Sequence, residues 1–435
     1  MVLARANVRL SKLRLKSITA ADRWRFPGLP RSNLRGGDRK TIAVAAMDPR
    51  VGCNNSSRGY TSSSLNTNGD PEVTLERLGT ERGVALLTLN KPEKLNALSM
   101  TMVRGMTDAI EEHWSGGDSP RLLILRGTGG KAFCAGGDVK AVSQSERLGL
   151  GVAGTLRSDF FREEYVLDYR LAKIAREQQA LLSLWDGVVM GGGVGISIHG
   201  TFRVATETSL FAMPETVIGI FPDVGTAHVL ARLPGGLGQY LGLTGARLRG
   251  NDLLQCGLAT HLVPRDRLPE LGDALSADDG ENPALILERF ASEATDPASS
   301  MLAQARPRWI DDAFSGATSV EEIVRRLEGM AGPPGDSPSR DWAQETLEKI
   351  SKASPTALKV THRHISWAAT ATLKECLEQD FRIMQHMVTK NDFDEGVRAR
   401  LIDKDNQPAW SPPSLEGVSP SMVDDLFSEI QHGVF

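Results

Sequence analysis

RLLILRGTGGKAFCAGGD, residues 121–138, decides how the rest of the chain is read. Its first half has the unbroken apolar character of a strand buried on both faces. It then runs directly into glycines. The same pattern returns in ALLSLWDGVVMGGGVG, residues 180–195. Glycine allows close backbone approach and positive φ, and a helix that starts after such a turn has free N–H groups in its first turn. Two such ends side by side would offer two donors to one oxygen, which is an oxyanion hole. The plainer readings are two tight turns or a phosphate cradle. Neither cluster fits GxxxxGK[ST], and no GxGxxG opens a helix after the first strand. No GxSxG elbow is present to support a serine hydrolase.

Working outward, VALLTLN (84–90) reads as another buried strand, and MTMVRGMTDAIEEHW (100–114) as a helix with Ser99 as its N-cap. Residues 140–180 read as helical and charged, and 180–189 as a third strand continuing into the second glycine cluster. TFRVATETSLFAMPE supplies short β-branched pieces, and AHVLARL (227–233) reads as helix. Strands alternating with helices predict an α/β architecture with crossover connections. From about residue 265 the pattern changes to helices broken by Pro and Gly, notably GMAGPPGDSPSRD (329–341).

MPETVIGIFPDVG (213–225) poses a chemical question. Two carboxylates, Glu215 and Asp223, each follow a proline inside an otherwise apolar run. A buried carboxylate without a partner is expensive, so the pair is either neutralised structurally or performs chemistry. Asp223 also stands where it could cap the helix that follows.

The 435 residues, 40% hydrophobic and 24% charged, are sufficient for a sizeable core. A net charge of −4 gives no argument for nucleic acid or an anionic membrane as partner. Cys53, Cys134, Cys256 and Cys376 lack CxxC spacing, which argues against a zinc knuckle or disulfide framework. No apolar run is long enough to cross a bilayer. Residues 1–60 hold ten Arg and three Lys against three Asp and no Glu, the composition of an organelle transit peptide, although Met47 leaves room for an internal start. The expected division is therefore a mitochondrial transit peptide and linker over 1–65, an α/β core over 70–265, and a helical region over 266–435. Order is expected to begin at PEVTLERLG.

Three motifs in register, LTLNKPEKLNALS, GTGGKAFCAGGDVK and DGVVMGGGVGISIHGTFRVATETSLFAMPE, resemble the crotonase (enoyl-CoA hydratase/isomerase) superfamily across about residues 72–265. FFREEY, FAMPETVIGIFPDVG, LTGARLRG, GLATHLVP, SPTALKVT and DFDEGVRARLIDKD are similar to the 3-hydroxyisobutyryl-CoA hydrolase family within it. This resemblance implies the crotonase fold, a spiral of ββα units with a C-terminal helical region. It implies a thioester carbonyl held by the backbone N–H groups of Gly137 and Gly192. Hydratases of the superfamily carry an acid where this chain has Gly195; a second acid is retained as Glu215, and Asp223 is gained, a pattern suited to thioester hydrolysis. Glu215 is expected to act as nucleophile or as the base for water, Asp223 to meet the substrate hydroxyl or position Glu215, and Glu164 to line the acyl pocket.

The implied reaction belongs to valine catabolism in the mitochondrial matrix. It needs no metal and no cofactor, because CoA arrives within the substrate. No nucleic-acid or membrane partner is implied, and a homo-oligomer is an open expectation. The alternatives are an enoyl-CoA hydratase or isomerase, and a non-catalytic subunit of the mitochondrial ribosome. Cys134, His199, His228 and His261 read as structural, and nothing in the sequence accounts for Trp185 and Asp186 before the second glycine turn.

Overall fold

In a computed structural model the described residues are 60–435, apart from 79–82, 115–118, 148, 151–152, 177–178, 278–280, 292–301, 303–305, 333–336 and 431–432. The expected transit peptide lies outside the described residues. The linker expected to reach residue 65 gives way earlier. Strand β1 (Tyr60–Thr61) already pairs antiparallel with β2 (Val73–Leu78), so the ordered chain starts before PEVTLERLG.

Two sheets form the frame. The large one has the order β1-β2-β3-β4-β6-β8-β11, with β3 (Val84–Leu89), β4 (Leu122–Gly127), β6 (Ala180–Trp185), β8 (Phe202–Ala205) and β11 (His261–Leu262) mutually parallel. The small one has the order β10-β9-β7-β5, built from β5 (Ala132–Cys134), β7 (Val188–Met190), β9 (Leu210–Ala212) and the antiparallel β10 (Leu248–Arg249). Each turn of the spiral sends one strand to the large sheet and the next to the small sheet, then a helix: β4, β5 and helix Val139–Gln144; β6, β7 and helix Gly192–Ile198; β8, β9 and the short turn Glu215–Ile218. This is the expected repetition of ββα units.

The apolar runs have their cause in this layering. Along β4, Leu123 and Leu125 enter the main core while Leu122 and Ile124 enter a second core on the sheet's other face. Alternate side chains point to opposite faces, so a strand covered on both must be apolar throughout. Helices Leu268–Ser276 and Pro283–Phe290 supply the cover over the second core through Leu271, Leu275, Ile286 and Phe290. Later helices join the main core instead: Ile310, Leu358 and Phe381 pack in the same cluster as Leu125 and Val194.

The stretch expected as one strand, 180–189, is two. β6 ends at Trp185, and the chain crosses at Asp186–Gly187 into β7 of the other sheet. The two unexplained residues make this crossing. The buried Trp185 indole donates to Ser197 Oγ at 3.0 Å. Asp186 accepts from Thr208 Oγ1 at 2.7 Å and pairs with Arg265 Nε at 3.1 Å. Gly187 has φ +81°, and a Cβ there would run into the Lys131 carbonyl. Gly187→Ala should therefore destabilise the protein by about 1–3 kcal/mol, read as a lower denaturant midpoint; an unchanged midpoint would contradict this account of the crossing.

Candidate active site

Because β9, β7 and β5 are neighbours, the chain leaving their C-terminal ends arrives at one place. Adjacent strands lie about 4.8 Å apart. Just past Cys134 comes Gly137, past Met190 comes Gly192, and past Ala212 comes Glu215. The spiral thus converts three sequence-distant motifs into one cluster.

Both glycine amides are available. Leu98 bridges the Gly137 segment by donating to the Gly136 carbonyl and accepting from the Asp138 amide, each at 2.8 Å. That pairing uses the residues on either side and leaves the Gly137 N–H without a partner among the described hydrogen bonds. Gly192 opens helix Gly192–Ile198, so its N–H has no carbonyl one turn back to receive it. The two glycines face a common group, the carboxyl of Glu164. A Cβ at Gly137 would lie 3.9 Å from Glu164 Oε1 and 2.9 Å from Phe160, and one at Gly192 would collide with that oxygen. A Cβ at Gly191, next door, would sit 3.2 Å from Glu215 Oε1.

Glu164 comes from the long helix Leu156–Ile174, N-capped by the Thr155 side chain. Its neighbour Glu163 pairs with Arg104 on the partly exposed side, whereas Glu164 is only 2% exposed, so Glu164 stands on a buried face of the helix and not on a solvated one. Glu215 and Asp223 are each 5% exposed. Asp223 does not cap the helix Thr226–Leu230, whose N-cap Gly225 receives no side-chain bond. Its Oδ2 accepts instead from Tyr165 Oη at 2.5 Å.

Asp168 was not anticipated from the sequence. It lies one turn beyond Glu164 on the same helix, fully buried, and neither oxygen has a hydrogen-bond partner among the described residues. A Cβ at Gly195 would come within 2.7 Å of Asp168 Oδ2 and 2.6 Å of Val224. The position at which hydratases of the superfamily carry an acid is thus filled from a different helix. A readable signal exists: Phe160, Phe161, Glu164, Tyr165, Asp168, Leu171 and Ala172 form one buried stripe at helical spacing, and two of its members are acids.

Four buried carboxyl groups now lie close together, and among the described residues no lysine or arginine contributes to the shift of any of them. Glu164 Oε1 and Glu215 Oε2 are also without partners. Burial, with Asp223 beside it, pushes Glu164 well above the usual carboxylate range. Burial followed by Asp223 and Glu164 does the same for Glu215. Asp168 is raised by burial, then by Glu164, Asp223 and Asp380. Asp223 is pushed up to about 7 by burial, although the Tyr165 hydroxyl pulls it down. Such groups titrate as a set, since each proton lost makes the next harder to remove.

The remaining candidates are structural. Burial holds the Cys134 thiol up at about 12, far from a reactive thiolate. Burial also lowers His199 to about 3 and His228 to about 4. Among the described residues no cluster of His, Cys, Asp or Glu has the arrangement to hold a metal ion, and no helix is long and apolar enough to cross a membrane.

A raised carboxyl takes up a proton on folding, so its penalty is absent below the ordinary carboxylate range and grows as pH rises toward the folded value. Asp168→Asn removes that penalty. The variant's Tm should exceed the native value by an increment that widens as pH rises above the ordinary carboxylate range. An increment independent of pH would contradict the assignment of Asp168 as a buried acid.

Comparison with known proteins places this geometry in context. The family profile described as enoyl-CoA hydratase/isomerase matches residues 84–427. Proteins named 3-hydroxyisobutyryl-CoA hydrolase, mitochondrial, are similar in Rattus norvegicus (42% identity over 82% of this chain and 89% of the relative) and in Homo sapiens (41%, 84% and 91%). Among solved structures, a carnitinyl-CoA dehydratase from Mycobacterium thermoresistibile superposes with TM-score 0.72 at 36% identity, covering 84% of this chain and 98% of its own. An enoyl-CoA hydratase from Rhodobacter sphaeroides 2.4.1 gives 0.68 at 34%, covering 82% and 97%.

Proposed function

The chain belongs to the enoyl-CoA hydratase/isomerase family, and from that premise we propose that it hydrolyses the thioester of 3-hydroxyisobutyryl-CoA, and of similar 3-hydroxyacyl-CoA, to the free hydroxy acid and CoA. The observation that carries the reading is the Glu215 carboxyl, with Oε1 beside Gly191 and Oε2 without a partner among the described residues, together with two unpaired amides at the neighbouring strand ends.

In this reading the thioester oxygen would sit between the N–H groups of Gly137 and Gly192. These fixed donors stabilise the negative charge that develops when the carbonyl carbon is attacked; one such donor typically contributes about 2.7–4 kcal/mol. Glu215 would attack the carbon itself, forming a mixed anhydride that water then opens, or would take the proton of an attacking water. Either way the C–S bond breaks, CoA leaves as thiolate and is protonated, and water's oxygen ends in the acid product. Burial raises Glu215's basicity, which suits a base working near neutral pH. Glu164, kept protonated by the same burial, would donate to the acyl group or to water. Asp223 would receive the substrate's 3-hydroxyl or hold Glu215 and water in line.

Hydration of an enoyl-CoA suits the site less well. Gly195 offers no acid there, and the acid that reaches that space, Asp168, is fully buried. The presence of all the acids also separates the chain from a non-catalytic ribosomal subunit. The reaction calls for water and no cofactor. The partner is the acyl-CoA substrate, with no nucleic acid or membrane involved, and self-association into a homo-oligomer is consistent with the family. The protein is mitochondrial, and the matrix is the compartment in which this step of valine degradation would run.

Supplying 3-hydroxyisobutyryl-CoA should give free thiol. No release at millimolar substrate would reject the reading. Glu215→Gln should lower kcat by about 10²–10⁴-fold with substrate binding retained; native kcat in that variant would remove Glu215 from the chemistry. Glu215 and Asp223 act when deprotonated, so kcat/KM should fall as pH drops, with an acid limb near the value of about 7 set for Asp223. A limb near the ordinary carboxylate value of about 4 would contradict the buried-acid description.

A further inference from the structure

We propose that His364 and Asp380, two buried residues of the C-terminal helices, form a positioning pair that fixes the orientation of Asp223. His364 lies in helix Pro355–Ala368 and Asp380 in helix Leu373–Met387, far along the chain from the spiral motifs. Their side chains meet at 2.5 Å, His364 Nε2 to Asp380 Oδ1. The other Asp380 oxygen accepts the Gly225 N–H at 2.7 Å. The His364 ring also stands edge-on against Phe221, with centroids 5.5 Å apart and planes at 89°. Phe221 and Gly225 are the residues two before and two after Asp223. The pair therefore grips the FPDVG segment on both sides of the functional acid.

The segment needs such a grip. Val224, directly after Asp223, has φ +52°, a conformation that a β-branched residue adopts only when its surroundings impose it. Thr226 adds bonds from its N–H and its hydroxyl to the Asp223 carbonyl, at 2.9 and 2.6 Å. These fix the backbone from the spiral's side, and Asp380 fixes it from the helical region's side. An apolar brace would have sufficed for packing alone. Here a fully buried carboxyl commits one oxygen to a backbone amide and the other to a histidine that itself stacks on Trp367. The strain at Val224, the two-sided contact and the buried hydrogen bonds are independent observations, and all concern where Asp223 points.

Asp380 is also among the like charges that raise Asp223. The other titratable groups facing Asp223 are Tyr165, Glu164 and Asp168 from the long helix and Glu215 from the turn after β9; His199 Nε2 abuts Gly225. Removing the charge at 380 while keeping its shape should therefore move the titration of Asp223 downward and loosen its aim.

The inference rests on the reading of Asp223 as a group that meets the substrate, so the test uses two readouts. Thiol release from 3-hydroxyisobutyryl-CoA is followed against pH, and the Asp223 carboxyl is titrated by ¹³C NMR, its signal assigned by its loss in Asp223→Asn. Asp380→Asn should lower kcat by about 10²-fold with KM within about threefold, the signature of misplacement without lost binding. The Asp223 titration and the acid limb should both move to lower pH. His364→Gln, which keeps a donor toward Asp380, should lose less, and it supplies the answer if the Asp380 variant does not fold. A fall in Tm with kcat and the Asp223 titration unchanged would reduce the pair to a packing element and overturn the proposal. A native protein that releases no thiol, but whose Asp223 titration still moves on Asp380→Asn, would overturn the functional reading and support the positioning pair.

Discussion

Glu164, Asp168, Glu215 and Asp223 share one buried space, and four like charges cannot coexist there. Among the described residues no cation relieves them. Hydrogen bonds do so only in part, chiefly through Tyr165 on Asp223. The consequence is a set of carboxyls that hold protons at pH values where an exposed acid would have lost them. A protonated acid is a donor and its ionised neighbour is a strong base. One buried, crowded set of acids can therefore offer both a proton donor and a base.

The spiral makes that crowding unavoidable. Strands β5, β7 and β9 are adjacent, so whatever follows each of them in sequence meets the others in space. Two of the three exits are glycines, because the Glu164 carboxyl and the Phe160 ring occupy the volume a side chain would need. The exposed amides and the crowded acids are thus one packing solution. The C-terminal helices complete it from outside the spiral, through Asp380 on Gly225 and His364 on Phe221. The turn with positive φ at Val224 is thus held in part by residues outside the spiral.

The sequence disclosed the parts of this arrangement that are local. Helix Met100–Trp114 follows its apolar spacing, the continuous apolar runs are strands covered on both faces, and both glycine clusters follow strand ends. Glu215 and Asp223 declared themselves as acids among apolar neighbours. Non-local features stayed hidden. The apolar run 180–189 conceals a change of sheet, because both halves are buried and only the turn at Gly187 separates them. Asp168 sat within a stretch legible only as helical and charged, and the stripe it belongs to shows once its other members are known to be buried. Asp380 likewise stands in the buried stripe of its helix, but its partner Gly225 is 155 residues away, and no local pattern points there.

The account is tested most directly by a crystal structure of the Glu215→Gln protein holding intact 3-hydroxyisobutyryl-CoA. It predicts the thioester oxygen within about 3.1 Å of the N–H groups of both Gly137 and Gly192, with the residue at 215 facing the carbonyl carbon. A thioester oxygen bound to other groups, or a carbonyl carbon out of reach of position 215, would contradict it.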